Sequence, residues 1–169
     1  MTTSSSAVLE LLPGSQTATA TASRPLPTPA ELQQRLPLSA GLCQRIRNQR
    51  QAIANILQGR DPRMLVVVGP CSIHDSAAAL DYAERLAALA DELSDHLLLA
   101  MRVYTEKPRT TVGWKGLLYD PLLDGSARMD EGLALSRQLM LQVAELGLPV
   151  ATELLQPLTV PYFSDLLGW

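Results

Sequence analysis

Met64-Leu-Val-Val-Val-Gly-Pro-Cys-Ser-Ile-His-Asp75 is the stretch whose reading decides the fold. Its first five residues are apolar, with three valines and no alternation, the pattern of a strand buried on both faces of a parallel sheet. Gly69-Pro70 stops the strand, because proline has no N–H to give to a ladder. Asp75 or Ser76 then caps a helix whose Tyr82, Leu86, Leu89 and Leu93 share one face. Working outward, Leu97 to Val103 reads as a second strand. Asp130 is placed to cap a second helix, with Leu135, Leu139, Val143 and Leu146 at helical spacing and Gly147 closing it. Pro149-Val-Ala-Thr-Glu153 reads as a third strand, and Thr159 to Leu167 as the opening of a third helix. Strand alternating with helix is the α/β class, with parallel strands and crossover connections. Two architectures fit, a doubly wound sheet or an eightfold barrel, and both bind ligands at the carboxyl ends of their strands.

Three segments are expected. Residues 1–30 are rich in Thr, Ser, Ala and Pro and read as a disordered tail. Residues 31–62 read as a helical arm, in which Ser39 caps a helix carrying Leu42, Ile46, Ile53 and Ile56 on one face and ending at Gly59. Residues 63–169 carry the strand and helix units.

The chain has 169 residues, 47% of them hydrophobic, enough to build a core. A net charge of −3 argues against nucleic acid or an anionic membrane as partner, since both reward an excess of basic charge. Two cysteines, Cys43 and Cys71, are too few for a disulfide framework, and no apolar run approaches the roughly 18 residues of a membrane span. With no secretory signal pattern at the start, a cytoplasmic setting is expected.

Against that acidic background, cations gather in one place. The only two lysines, Lys107 and Lys115, fall in a single loop after the second strand, beside Arg102 and Arg109. The connection from Tyr104 to Met129 is far longer than the usual 2 to 6 residues or so of a βα loop, which favours function over spacing. It holds no GxGxxG and no GxxxxGK[ST], so it is neither a dinucleotide nor a Walker site. Arg grips carboxylates and phosphates in a fork, Lys adds a point charge, and the hydroxyls of Thr110 and Thr111 lie close by in sequence. Two small anions could be held together there. Cys71, just past the first strand, is a nucleophile, a soft metal ligand, or an apolar filler. His74 could join it as a ligand only if the two share a helical turn. Glu153 could position a proton or pair with an Arg on the rim. Cys71, Arg102 with the basic loop, and Glu153 all fall at strand ends, so three separated features converge on one rim.

The segments Val68 to Asp75 and Arg102-Val-Tyr-Thr-Glu-Lys-Pro-Arg-Thr-Thr-Val-Gly-Trp-Lys-Gly116 closely resemble class I 3-deoxy-D-arabino-heptulosonate 7-phosphate (DAHP) synthase, in its aromatic-regulated microbial subfamily. Asp120-Pro121 and Gly147-Leu-Pro149 are in register with it. The resemblance implies a (β/α)8 TIM barrel that condenses phosphoenolpyruvate with D-erythrose 4-phosphate at the entry to the shikimate pathway. A divalent metal ion, Mn, Fe, Co or Zn, would polarise the aldehyde. It further implies that Cys71 is a metal ligand and that Arg102 and Lys107 hold phosphoenolpyruvate. Lys107, Pro108, Arg109 and Thr110 would meet erythrose 4-phosphate, and Glu153 would be an active-site carboxylate with Lys107 the other catalytic group. His74 matches a motif position but not the family's histidine ligand. An aromatic amino acid effector and a homodimer or homotetramer are implied for the full-length enzyme.

Only about three βα units are present, where a closed barrel needs eight and typically about 250 residues. One thiolate is also short of the roughly three protein ligands of a catalytic metal site. The sequence is therefore expected to be an incomplete barrel, inactive alone, with its third strand an unpaired edge. The alternatives are a non-catalytic anion-binding or regulatory fragment, and the related 3-deoxy-octulosonate 8-phosphate synthase condensation.

Overall fold

In the computed structural model the described residues are 25–109 and 112–169; most of the expected tail lies outside them. Thr28 opens the first helix, α1 (Pro29–Arg35). Its hydroxyl accepts from the Glu31 N–H while the Glu31 carboxylate accepts from the Thr28 N–H, so two otherwise orphaned donors are satisfied. Ser39 caps α2 (Ala40–Leu57) through Leu42 N–H at 3.1 Å, and Gly59 at φ +71° follows its end.

Three parallel strands follow in the order β1 (Met64–Val68), β2 (Leu97–Arg102), β3 (Val150–Ala151). Val67 is in register with Ala100, and Arg102 with Ala151. Between them run α3 (Ser76–Glu92), capped by the Asp75 carboxylate on two N–H groups, and α4 (Met129–Glu145). A 3₁₀ turn, Pro157–Thr159, leads into the short α5 (Val160–Phe163). The strands are β-branched or leucine-rich, and α3 and α4 bury Ala83, Leu86, Leu133, Met140 and Val143 with Leu99, Met101 and Val150 in one core. Leu32, Leu42 and Ile46 from α1 and α2 belong to that same core.

Four details differ from the sequence expectation. None of the β1 residues is fully buried, and Val67 is 38% exposed, because among the described residues nothing covers that face of the strand. Helix α4 starts two residues early, with Arg128 at its N-cap making no side-chain cap bond, so Asp130 and Glu131 serve its first turn as charges facing the helix dipole. The segment after Gln156 is a 3₁₀ turn and a four-residue helix, and no longer helix runs through Leu167. Strand β3 has only two residues, and its outer edge is not bare: Leu167 pairs in parallel with Val150, and the N–H groups of Gly168 and Trp169 donate to Val150 O at 2.8 and 3.1 Å. No described helix is long and apolar enough to cross a membrane.

Candidate functional site

The carboxyl ends of β1 and β2 are tied together by the backbone before any chemistry is added. Gly69 is needed because a Cβ there would lie 2.7 Å from the carbonyl oxygen of Arg102. Arg102 returns across the gap, its Nε donating to Pro70 O at 2.9 Å and an Nη to Gly69 O at 2.6 Å, with its guanidinium 5.3 Å over the ring of Tyr104. The Ile73 N–H donates to Tyr104 O at 3.0 Å, which fixes the turn carrying Cys71. The end of β3 joins through Thr152, whose hydroxyl donates to Val103 O at 2.7 Å.

The basic loop is closed at its neck. Lys107 N–H donates to Lys115 O at 2.9 Å, Leu118 N–H donates to Thr105 O at 3.0 Å, and Gly116 at φ +110° sits so close to Thr105 O that no side chain fits. The Trp114 indole N–H donates to Asp120 O at 2.8 Å, tying the loop to the following turn. This fixed neck aims Lys107 at Cys71. The ammonium lies 3.1 Å from the Cys71 carbonyl oxygen and 3.3 Å from its sulfur. Two residues singled out separately in the sequence are therefore in direct contact.

Lys107, Pro108, Arg109 and Lys115 line one cavity of about 350 Å³ together with Glu106, Tyr119, Leu155 and Gln156. A larger cavity, about 940 Å³, lies away from the strand ends between α1 and α4. Glu153 stands exposed past β3, near enough for its charge to act on Glu106. Thr110 and Thr111 lie outside the described residues. His74 is exposed and precedes α3, so it does not share a helical turn with Cys71.

Glu106 was not singled out by the sequence reading. It is 3% exposed; its Oε1 accepts from the Thr159 hydroxyl at 2.9 Å, while its buried Oε2 has no hydrogen-bond partner among the described residues. Burial pushes its carboxyl above the usual range and the charge of Glu153 adds to that; the Thr159 hydroxyl, the Tyr119 phenol and the Gln156 backbone pull the other way. Burial, and next the Glu106 charge, likewise push the Tyr119 phenol up. The one available signal was an acid inside the most basic run of the chain.

The metal expectation meets an incomplete donor set. Among the described residues no group of three or more His, Cys, Asp or Glu side chains could hold a metal ion. Cys71 faces an ammonium instead of a second ligand. The described donors alone do not fit a divalent ion.

Known proteins resemble this chain over most of its length. The model of the DAHP synthetase I family matches residues 30–169. The Tyr-sensitive phospho-2-dehydro-3-deoxyheptonate aldolase of Escherichia coli is 54% identical over 144 residues, covering 85% of this chain and 40% of that protein. A phospho-2-dehydro-3-deoxyheptonate aldolase of Amycolatopsis methanolica is 51% identical over 145 residues, covering 86% of this chain and 71% of that protein. The solved structure of the Francisella tularensis aldolase of the same name superposes with a TM-score of 0.82 at 46% identity, over 86% of this chain and 42% of that one. The chain thus spans about 40% of the length of the E. coli relative. Matched by the family model over residues 30–169 and half identical to its curated relatives, the chain belongs to the DAHP synthetase I family.

Proposed function

We propose that this chain is the N-terminal part of a 3-deoxy-7-phosphoheptulonate synthase. The complete enzyme would join phosphoenolpyruvate, D-erythrose 4-phosphate and water to give DAHP and phosphate, the first step of the shikimate pathway. The observation that carries the reading is the rim on which Lys107 reaches Cys71 while Lys107, Arg109 and Lys115 line one cavity. Two phosphorylated substrates repel each other, and three cations around one cavity offset that repulsion where a protein of net charge −3 otherwise would not.

Residue by residue, Arg102 and Lys107 grip phosphoenolpyruvate, and Lys107, Pro108, Arg109 and Thr110 meet erythrose 4-phosphate. Glu153 is the carboxylate of the active site. Arg102 already spends two donors on the Gly69 and Pro70 carbonyls, so part of its work is to hold the rim in shape. The strands reported above would be the first of a (β/α)8 barrel. Cys71 would give one ligand of a divalent metal, Mn, Fe, Co or Zn, with the remaining ligands supplied from outside the described residues. An aromatic amino acid effector is supported by the Tyr-sensitive and Trp-sensitive names of two E. coli relatives. A homodimer or homotetramer, working in the cytoplasm, completes the reading.

A chimera tests it. Joining this chain at Trp169 to the C-terminal portion of the E. coli Tyr-sensitive relative should give metal-dependent loss of phosphoenolpyruvate that requires erythrose 4-phosphate, while the 169-residue chain alone gives none. A folded, metal-loaded chimera that consumes neither substrate, or consumes arabinose 5-phosphate instead, refutes the proposal.

A further inference from the structure

We propose that Glu106 sets the anion affinity of the basic cavity through its own charge: while its carboxyl is protonated, Lys107, Arg109 and Lys115 are free to hold a phosphate-type dianion, and its ionisation weakens that hold. The proposal rests on the reading of this cavity as an anion site and concerns what controls it. Glu106 lines the cavity of about 350 Å³ with those three cations, yet among the described residues no ion pair joins it to any of them. A buried carboxylate beside three cations takes one of them as a partner, because pairing is what offsets the cost of burying its charge. Glu106 is 3% exposed and makes no such pair.

Its hydrogen bonds point the same way. Oε2 is buried without a partner among the described residues. Oε1 has the Thr159 hydroxyl at 2.9 Å, but that hydroxyl also stands 2.8 Å from Gln156 O, and its single proton serves only one of them at a time. An ionised carboxylate offers about four lone-pair sites, and one shared donor leaves most of them empty, whereas a protonated carboxyl asks for less and has a proton of its own to give. The groups around it come from two segments. The basic loop brings Lys107, Arg109, Lys115 and the Tyr119 phenol, and the run after β3 brings Glu153, Gln156 and Thr159. Burial, and to a smaller degree the Glu153 charge, keep the carboxyl above its usual range against the pull of Thr159, Tyr119 and Gln156. A dianion in the cavity would act in the same sense as Glu153. The coupling is reciprocal, so the anion strengthens the hold on the proton by the same factor that the proton strengthens the hold on the anion.

Inorganic sulfate is the probe, since its charge does not change over the pH range of the test. Titrated calorimetrically into the 169-residue chain between about pH 5 and about pH 9, it should bind with uptake of a proton and lose affinity as Glu106 ionises. Glu106→Gln, which keeps the shape but carries no charge, should bind sulfate at the upper end of that range at least about tenfold more tightly than the parent and take up fewer protons. Both proteins share His74, His96 and every other titrating group, so the difference between them belongs to Glu106. Lys115→Met should weaken sulfate binding at every pH. Far-ultraviolet circular dichroism confirms that each variant is folded. Binding to the parent without proton uptake, or one pH profile shared by the parent and Glu106→Gln, overturns the role of Glu106 while leaving the cavity an anion site. Sulfate that binds neither protein, or that binds Lys115→Met as well as the parent, overturns the anion reading of the cavity as well.

Discussion

Arg137 offers the sharpest test of how the arm is held to the sheet. It sits on α4 with 0% exposure, and its Nε donates to Leu36 O at 3.0 Å, at the end of α1. One Nη donates to Tyr162 O and to Asp165 Oδ1, both at 2.8 Å, and the other to Asp165 Oδ2 at 2.7 Å. Asp165→Ala removes two charge-assisted bonds of about 1.5–3 kcal/mol each and leaves a buried cation with only carbonyl partners. The Asp165 side chain is 33% exposed, so water already screens part of that interaction and can approach the guanidinium once the carboxylate is gone. The net cost expected is about 2.5 kcal/mol. Arg137→Met fills most of the same volume, leaves a carboxylate that water can reach, and orphans the Leu36 and Tyr162 carbonyls, for about 2 kcal/mol. Removing the partly exposed partner should thus cost at least as much as removing the buried one. With a urea m-value of about 1.5 kcal/mol/M, Asp165→Ala should lower the unfolding midpoint by roughly 1.7 M, followed by tryptophan fluorescence. The double variant should be no worse than the weaker single. A midpoint shift below about 0.3 M for Asp165→Ala, or an Arg137→Met loss far exceeding it, would refute the assignment of the cost to a stranded cation.

Glu106 carries a pH signature. Because burial raises its carboxyl, the folded state holds the proton more tightly than the unfolded chain. Its contribution is therefore best below the ordinary carboxylate value of about 4.3 and worsens as pH rises through the raised value. Glu106→Gln should be more stable than the parent near pH 7 and lose that advantage near about pH 4, and a gap that does not change with pH would contradict this. Gly132 is buried in α4 against the Leu118 carbonyl, where a Cβ would stand 2.6 Å from the Leu118 carbonyl carbon. Gly132→Ala gains about 1 kcal/mol of helix propensity but forces apart packed backbone, so a net loss of about 1–3 kcal/mol is expected in denaturation, and a gain would show that the two backbone segments separate easily. Gly116→Ala, strained at φ +110° and blocked by Thr105, should loosen the neck of the basic loop and speed alkylation of Cys71; an unchanged rate would show that Lys107 holds its place without the neck. In the chimera, Lys107→Ala should lower turnover by about 100-fold or more without unfolding the protein, as for loss of one preorganised charge, and a near-normal rate would remove it from the site.

What could be read from the sequence was whatever short-range chemistry dictates. Ser39, Asp75, Gly59 and Gly147 fall at helix ends as their types require, and the first two strands occupy their expected runs. Asp130 was misplaced because several polar residues near a helix start can each serve as a cap, and the backbone chose Arg128. Contacts that depend on distant partners were beyond reach. Lys107 meets Cys71 across 36 positions, and Thr159 meets Glu106 across 53, so neither the lysine's partner nor the burial of the glutamate is written in its own neighbourhood. The pairing of Leu167 with Val150 was missed for a related reason: a single bridge leaves no periodic trace.

The helices at the start of the chain have a consequence for the timing of synthesis. Arg45 of α2 donates to Glu145 O, 100 residues downstream, and Arg137 donates back to Leu36 O across 101. A ribosome working at about 5–20 residues per second would leave α1 and α2 without these partners for roughly 5–20 s after they emerge. β1, α3 and β2, whose contacts are close in sequence, have their partners long before that. The arm leaves the ribosome before the strands and is among the last parts to dock, and during that interval the apolar faces of α1 and α2 are the surface most in need of a chaperone.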